Sequence, residues 1–183
     1  MHRAAGLVAA LALAGCGSAA PPTPAAANQA RPAAPAAGLP ALTGRVVDMA
    51  NLLSPAEEAG LTDELAALER RTTDQLVIVT TPSLGGQAIE AYGLMLGNGW
   101  GVGQRGKDNG VLLIVAPAER KTRIEVGFGL EAILTDMRAQ AIIDREMVPQ
   151  FRENRWPEGI QGGTRAIIAT LVAHEREPRG RRR

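Results

Sequence analysis

Two neighbouring stretches of this chain carry oxygen ligands close together: Asp108 and Asn109 in one, Glu131 and Asp136 in the next. Carboxylates with an amide are hard donors, suited to calcium or magnesium; zinc prefers imidazole or thiolate. Neither histidine is placed to help, because His2 lies at the extreme start and His174 near the end. The same residues also have plainer uses. Asp136 can cap the helix that follows it, Asn109-Gly110 can be a turn, and Arg123 with Glu125 can be a solvated strand face. A serine triad is excluded, since no serine has a histidine base within the foldable part.

For these acids to act together, the elements around them must bring two loops to one place. Ser54-Pro55-Ala56-Glu57 opens a helix with a cap, a first-turn proline and a glutamate that reaches back, and Leu61, Leu65 and Leu68 carry it to about Arg71. Gln75 to Thr80 is a short β-branched apolar run, a buried strand. A second helix spans 87 to 97 and ends in glycines. Gly110 leads into an apolar strand from Val111 to Val115, and Pro117 to Arg120 forms a turn. Arg123 to Val126 then alternates as a strand with one covered face. Two more helices follow, one from about Met137 to Val148 stopped by Pro149, the other opened by Pro157 and carrying Ile160, Ile167, Ile168 and Leu171. This order predicts an α/β fold, a three-layer α/β/α sandwich on a small mixed sheet. The strand, helix, strand unit makes the first two strands parallel, and the hairpin returns antiparallel. The 98 to 110 loop and the stretch Gly127 to Glu131 should therefore meet at one rim of the sheet.

Gly101-Val102-Gly103-Gln104-Arg105-Gly106 matches a dinucleotide-binding glycine pattern and, through Lys107, most of a phosphate-binding loop. Both motifs need a strand before the glycines and a helix after, so that helix amides hold the phosphates. The expected order here is reversed, and Asp108 replaces the magnesium-binding hydroxyl. No nucleotide cofactor is expected. A net charge of +1, with two Trp, one Tyr and two Phe, provides no basic aromatic stripe for nucleic acid.

The ends of the chain speak to location. His2 and Arg3 precede an uncharged apolar run from Leu7 to Leu13, too short to span a bilayer, and Leu13-Ala14-Gly15-Cys16 closes it. That ending resembles the bacterial lipobox, which makes Cys16 the acylated first residue of the mature protein and the membrane a partner through a lipid anchor. Gly17 follows the cysteine, where an inner-membrane retention signal would have aspartate. The expected location is the cell envelope, lipid-anchored at the periplasmic face of a membrane, with the outer membrane open. Residues 1–15 are then a leader, 16–43 a lipidated cysteine and Ala/Pro-rich tether with Arg31 its one charge, 44–173 the folded domain, and 174–183 a basic tail.

GRVVDMANLLS (44–54), GVGQRGKDNGVLLIV (101–115) and RIEVGFGLEAILTD (123–136) together resemble the TPM domain family, in its order and approximate spacing. The resemblance implies the same α/β/α sandwich, a divalent-cation site, and an acid phosphatase activity that some members display and others lack. Carried over by motif, the acidic residues are Asp48, Asp108, Glu131 and Asp136, with Asn109 beside them. Many members are anchored by a C-terminal membrane helix, for which a lipid on Cys16 would substitute. Asp48 is awkward. The first helix should begin at the opposite rim, so Asp48 joins the others only if segment 44–53 crosses the sheet, a reach of about 30 Å; otherwise it is a structural cap. Two functions stay open: a cation-dependent phosphatase, or a non-catalytic module that binds metal and supports an envelope protein partner.

Overall fold

The computed structural model describes residues 39–175. The leader, Cys16, the tether as far as residue 38 and the tail beyond residue 175 lie outside the described residues. The elements in chain order are β1 (Val46–Asp48), α1 (Pro55–Thr72), β2 (Gln75–Thr80), α2 (Ile89–Trp100), β3 (Gly110–Ala116), β4 (Lys121–Val126), a 3-10 turn (Phe128–Leu130), α3 (Asp136–Ile142), a π turn (Ile143–Met147), α4 (Val148–Arg152) and α5 (Trp156–Glu175).

The sheet has four strands in the order β1-β2-β3-β4. β1 runs parallel to β2 and β2 parallel to β3, while β3 and β4 form an antiparallel hairpin. Successive side chains of a strand point to opposite faces, so the continuous apolar runs of β2 and β3 feed two cores. On one face Leu76, Ile78, Val111, Leu113 and Val115 meet Leu61, Leu65 and Leu68 of α1 and Ile160, Ile167 and Leu171 of α5. On the other, Val77, Val79, Leu112 and Ile114 meet Ile89, Tyr92, Leu96 and Trp100 of α2. The fold is the expected α/β/α sandwich, with α1, α3, α4 and α5 on one face and α2 on the other.

The local signals act as their chemistry requires. Ser54 caps α1, and its backbone N–H donates to Glu57 in a capping box. Three features depart from the sequence expectations. β1 is a real edge strand, short enough that its three residues carried no periodic signal. The segment before it is not free either: Leu39 and Leu42 pack against the α2 core, and the Trp100 indole N–H donates to Pro40 O at 2.9 Å. Pro149 does not end its helix. Val148 N–H reaches back to Ile143 O across the π turn, and this wider turn lets α4 continue through a proline that has no N–H to give and would otherwise crowd the carbonyl four residues before it.

Candidate functional site

The two glycine-bearing loops do converge at the rim where β2 and β3 begin and β4 ends. Gly127 N–H donates to Gly110 O at 2.7 Å, and Gly129 N–H to Asp108 O at 3.1 Å. The approach is close enough that a β-carbon on Gly129 would lie 1.9 Å from Lys107 O. Gly103 has φ +104, and a β-carbon there would lie 2.8 Å from Gly110 N; a side chain is excluded by backbone conformation and space alike.

Asn109 organises this rim. It is 4 % exposed. Its side-chain oxygen accepts from Gln104 N–H at 2.8 Å, and its amide donates to Thr73 O at 2.8 Å and Asp74 Oδ1 at 3.2 Å. Gln75 assists, because its side-chain oxygen accepts Gly103 N–H at 2.8 Å while its amide donates to Glu69. The polar atoms of Asn109 are thus spent on holding the loop. That is more than the turn its sequence suggested.

Asp108 and Glu131 line one cavity of about 360 Å³ together with Glu125, Gly93, Leu94 and Phe128. Asp108 and Glu131 are exposed at its mouth. Glu125, next to last in β4, is half-buried beneath α2, and Arg123 Nε donates to it along the same strand. The alternating charges of β4 announced that face, but not that Gly93 would let α2 settle against the Glu125 carboxylate. Phe128 at 81 % and Leu94 at 55 % exposure place two large apolar side chains beside the acids.

The remaining two predicted ligands lie elsewhere. Asp136 is exposed in the first turn of α3, where a negative charge complements the amide end of a helix. It is Thr135, not Asp136, that caps this helix, its hydroxyl accepting Arg138 N–H. Asp48 sits at the opposite rim, paired in register with Thr80 at the far end of β2. Its two oxygens accept Leu52 N–H at 3.1 Å and Leu53 N–H at 2.8 Å, and the Thr80 hydroxyl also donates to it. The segment 44–53 does not cross the sheet; Asp48 folds the loop that launches α1.

Calcium asks for six to eight oxygens. Among the described residues, no three acidic, histidine or cysteine side chains come together as a cage would need. Of the five predicted ligands, Asp108 and Glu131 share a cavity wall, and Asp48 lies at the opposite rim.

Away from the loops, Arg45 holds Glu69 with Nη2 to Oε2 at 2.6 Å. Burial pushes the Glu69 carboxyl up, but the hydrogen bonds from Arg45 and Gln75 with the charge of Arg45 outweigh it and leave it below the usual value. At the far rim the Glu119 carboxyl is also lowered, first by the Leu84 N–H it accepts and then by the Ser83 hydroxyl.

An α/β/α sandwich with glycine-floored loops converging below an acidic cavity defines the class, and comparison with known proteins gives the family. The sequence profile of the TPM domain matches residues 46–170, and the chain belongs to the TPM domain family. Comparison with curated protein sequences returns no match. Among solved structures, the chain is similar to the N-terminal domain of a Porphyromonas gingivalis protein determined by solution NMR, at 36% identity and TM-score 0.68, over 72% of this chain and 84% of that one. The N-terminal domain of a Corynebacterium glutamicum protein shares the fold at 15% identity and TM-score 0.56, over 74% and 85%. A protein from the psychrophilic bacterium Bizionia argentinensis does so at 17% identity and TM-score 0.53, over 67% and 83%.

Proposed function

We propose that this chain is a lipid-anchored TPM module of the bacterial envelope that acts by binding a partner protein rather than by turnover. The observation that carries this is the composition of the cavity mouth. Phe128 and Leu94 stand exposed beside Asp108 and Glu131, while the polar side chain beneath them, Asn109, is consumed by structure. A recognition surface needs an exposed apolar anchor with polar groups at its rim, and this mouth has both. A photo-crosslinking residue at position 128 in cells should capture an envelope protein. The same capture in a Phe128→Ala, Leu94→Ala background with the probe moved to exposed Met137 would count against this mouth as the docking point.

Anchoring rests on Leu13-Ala14-Gly15-Cys16. Metabolic labelling with a palmitate analogue should mark the native chain and leave a Cys16→Ser chain unmarked; label retained by the variant contradicts the anchor.

Asp108 and Glu131, sharing one cavity, favour a second function, a weak divalent-cation site of the kind a TPM phosphatase would use. These two carboxylates would supply hard oxygen ligands, with water completing the shell; a bound cation would polarise a phosphoryl oxygen. Titration calorimetry of the full chain with calcium and magnesium, beside an aryl phosphate assay, separates the outcomes. Heat without hydrolysis fits the binding module, hydrolysis lost in an Asp108→Asn, Glu131→Gln chain fits the phosphatase, and silence in both removes the metal.

A further inference from the structure

β4 closes the sheet on one side, and its outer edge has no strand beside it among the described residues. The bond from Gly127 N–H to Gly110 O fixes the parity of the hairpin. With the observed register, Lys121, Arg123 and Glu125 direct their backbone groups toward β3, so the N–H and C=O groups of Thr122, Ile124 and Val126 face outward. An edge of this kind is a template for another strand unless something restricts it.

The charges on β4 are a restriction of a selective kind. In an antiparallel pairing of β4 with β4 of a second copy about a twofold axis at Ile124, Thr122 faces Val126 and Ile124 faces Ile124, all through outward backbone groups. Arg123 then stands opposite Glu125 twice. These are the non-hydrogen-bonded positions, where opposing side chains come closest. Each neighbouring register places like charges face to face: Arg123 on itself, Glu125 on itself, or Lys121 on Arg123. The register about Arg123 also sets Lys121 against Glu125, but only the register about Ile124 opposes unlike charges with no like pair beside them.

The surroundings agree. A single helix, α2, covers this face of the sheet, and Leu94, 55 % exposed, lines the same cavity as Glu125 and Val126, so a second α2 arriving across the axis would cover it. We infer that this chain pairs with a second copy of itself through β4, forming one continuous eight-stranded sheet across the twofold axis at Ile124. The register also brings Lys121 of each copy opposite Gly127 of the other, at the mouth that holds Asp108 and Glu131. The partner copy thereby adds a cation to each acidic cavity.

The test uses the full chain in non-ionic detergent. Sedimentation should show a dimer for the native chain at high-micromolar concentration, beyond the mass of the micelle. Arg123→Glu places Glu against Glu across the axis, and Glu125→Arg places Arg against Arg, so each variant alone should lose the dimer. Mixed together they restore unlike charges at both positions, and the heterodimer should return. A native chain that sediments as a monomer, variants that stay dimeric, or folded variants that fail to combine would each overturn the proposal. Hydrogen exchange of the native chain covers the case of a variant that does not fold: the amides of Thr122, Ile124 and Val126 should lose protection on dilution, and protection independent of concentration would equally refute the pairing.

Discussion

The two rims of the sheet use the same residue type in opposite ways. At the rim where β1, β2 and β3 end, Asp48 and Glu119 turn inward and accept backbone amides from the loops that follow β1 and β2. At the rim where β2 and β3 begin, the holding is done by glycines and by Asn109, and Asp108 and Glu131 stay exposed. Open α/β sheets ordinarily place ligands at the carboxyl ends of their parallel strands. Here that rim is locked by its own acids, and the free acids stand at the other. A carboxylate's availability is decided by whether nearby amides need it, not by how many acids the sequence clusters.

The largest perturbation of this contrast should come from a glycine. Gly129→Ala forces a β-carbon against Lys107 O, and overpacking against backbone should cost about 3 kcal/mol in urea unfolding; native-like stability would mean the loops do not depend on that approach. Asp48→Ala comes next. It strands the Leu52 and Leu53 amides and should cost about 2 kcal/mol while leaving any calcium response intact. A response lost with Asp48 would place that residue in the site after all.

Acid titration gives a smaller effect. The carboxyl of Glu69 lies below its usual value of 4.5 in the folded chain. A lowered folded value stabilises above the unfolded one, so its contribution is complete near neutrality and fades as the pH falls through 4.5 and below. Glu69→Gln should lower stability at pH 7 and flatten that acid slope; an unchanged slope would show that the Arg45 contact carries no proton linkage. Smallest of all, Asp108→Asn with Glu131→Gln should shift stability by no more than about 0.5 kcal/mol, because neither side chain is buried, yet abolish any heat of calcium binding.

Much of the layout was legible because it rests on local rules. The capping box at Ser54, the apolar runs of β2 and β3 and the hairpin at Pro117 each declare themselves within a few residues. Convergence of the two loops followed from the parallel strands of the crossover and the antiparallel return of the hairpin. The fate of each acid was not legible, since it depends on contacts far apart in sequence: Asp48 meets Thr80 across 32 residues, and Asn109 meets Thr73 across 36. Pro149 misled for a related reason. A proline signals a helix end only where the turn before it is regular.

That irregular turn has a consequence for how the chain tolerates length changes. The π turn at Ile143–Met147 behaves as one residue in excess, and it sets the phase of everything after it. Downstream, Phe151 covers Gly159 and stacks on Trp156 with ring centroids 4.7 Å apart. Deleting one residue between 143 and 147 would restore a regular helix and rotate α4 by about 100°, swinging Phe151 off that glycine and driving the Pro149 ring into a carbonyl. A single extra residue thus works as a phase shifter between the sheet and the final helix, and a shortened variant should fail where most surface loops would accept the loss.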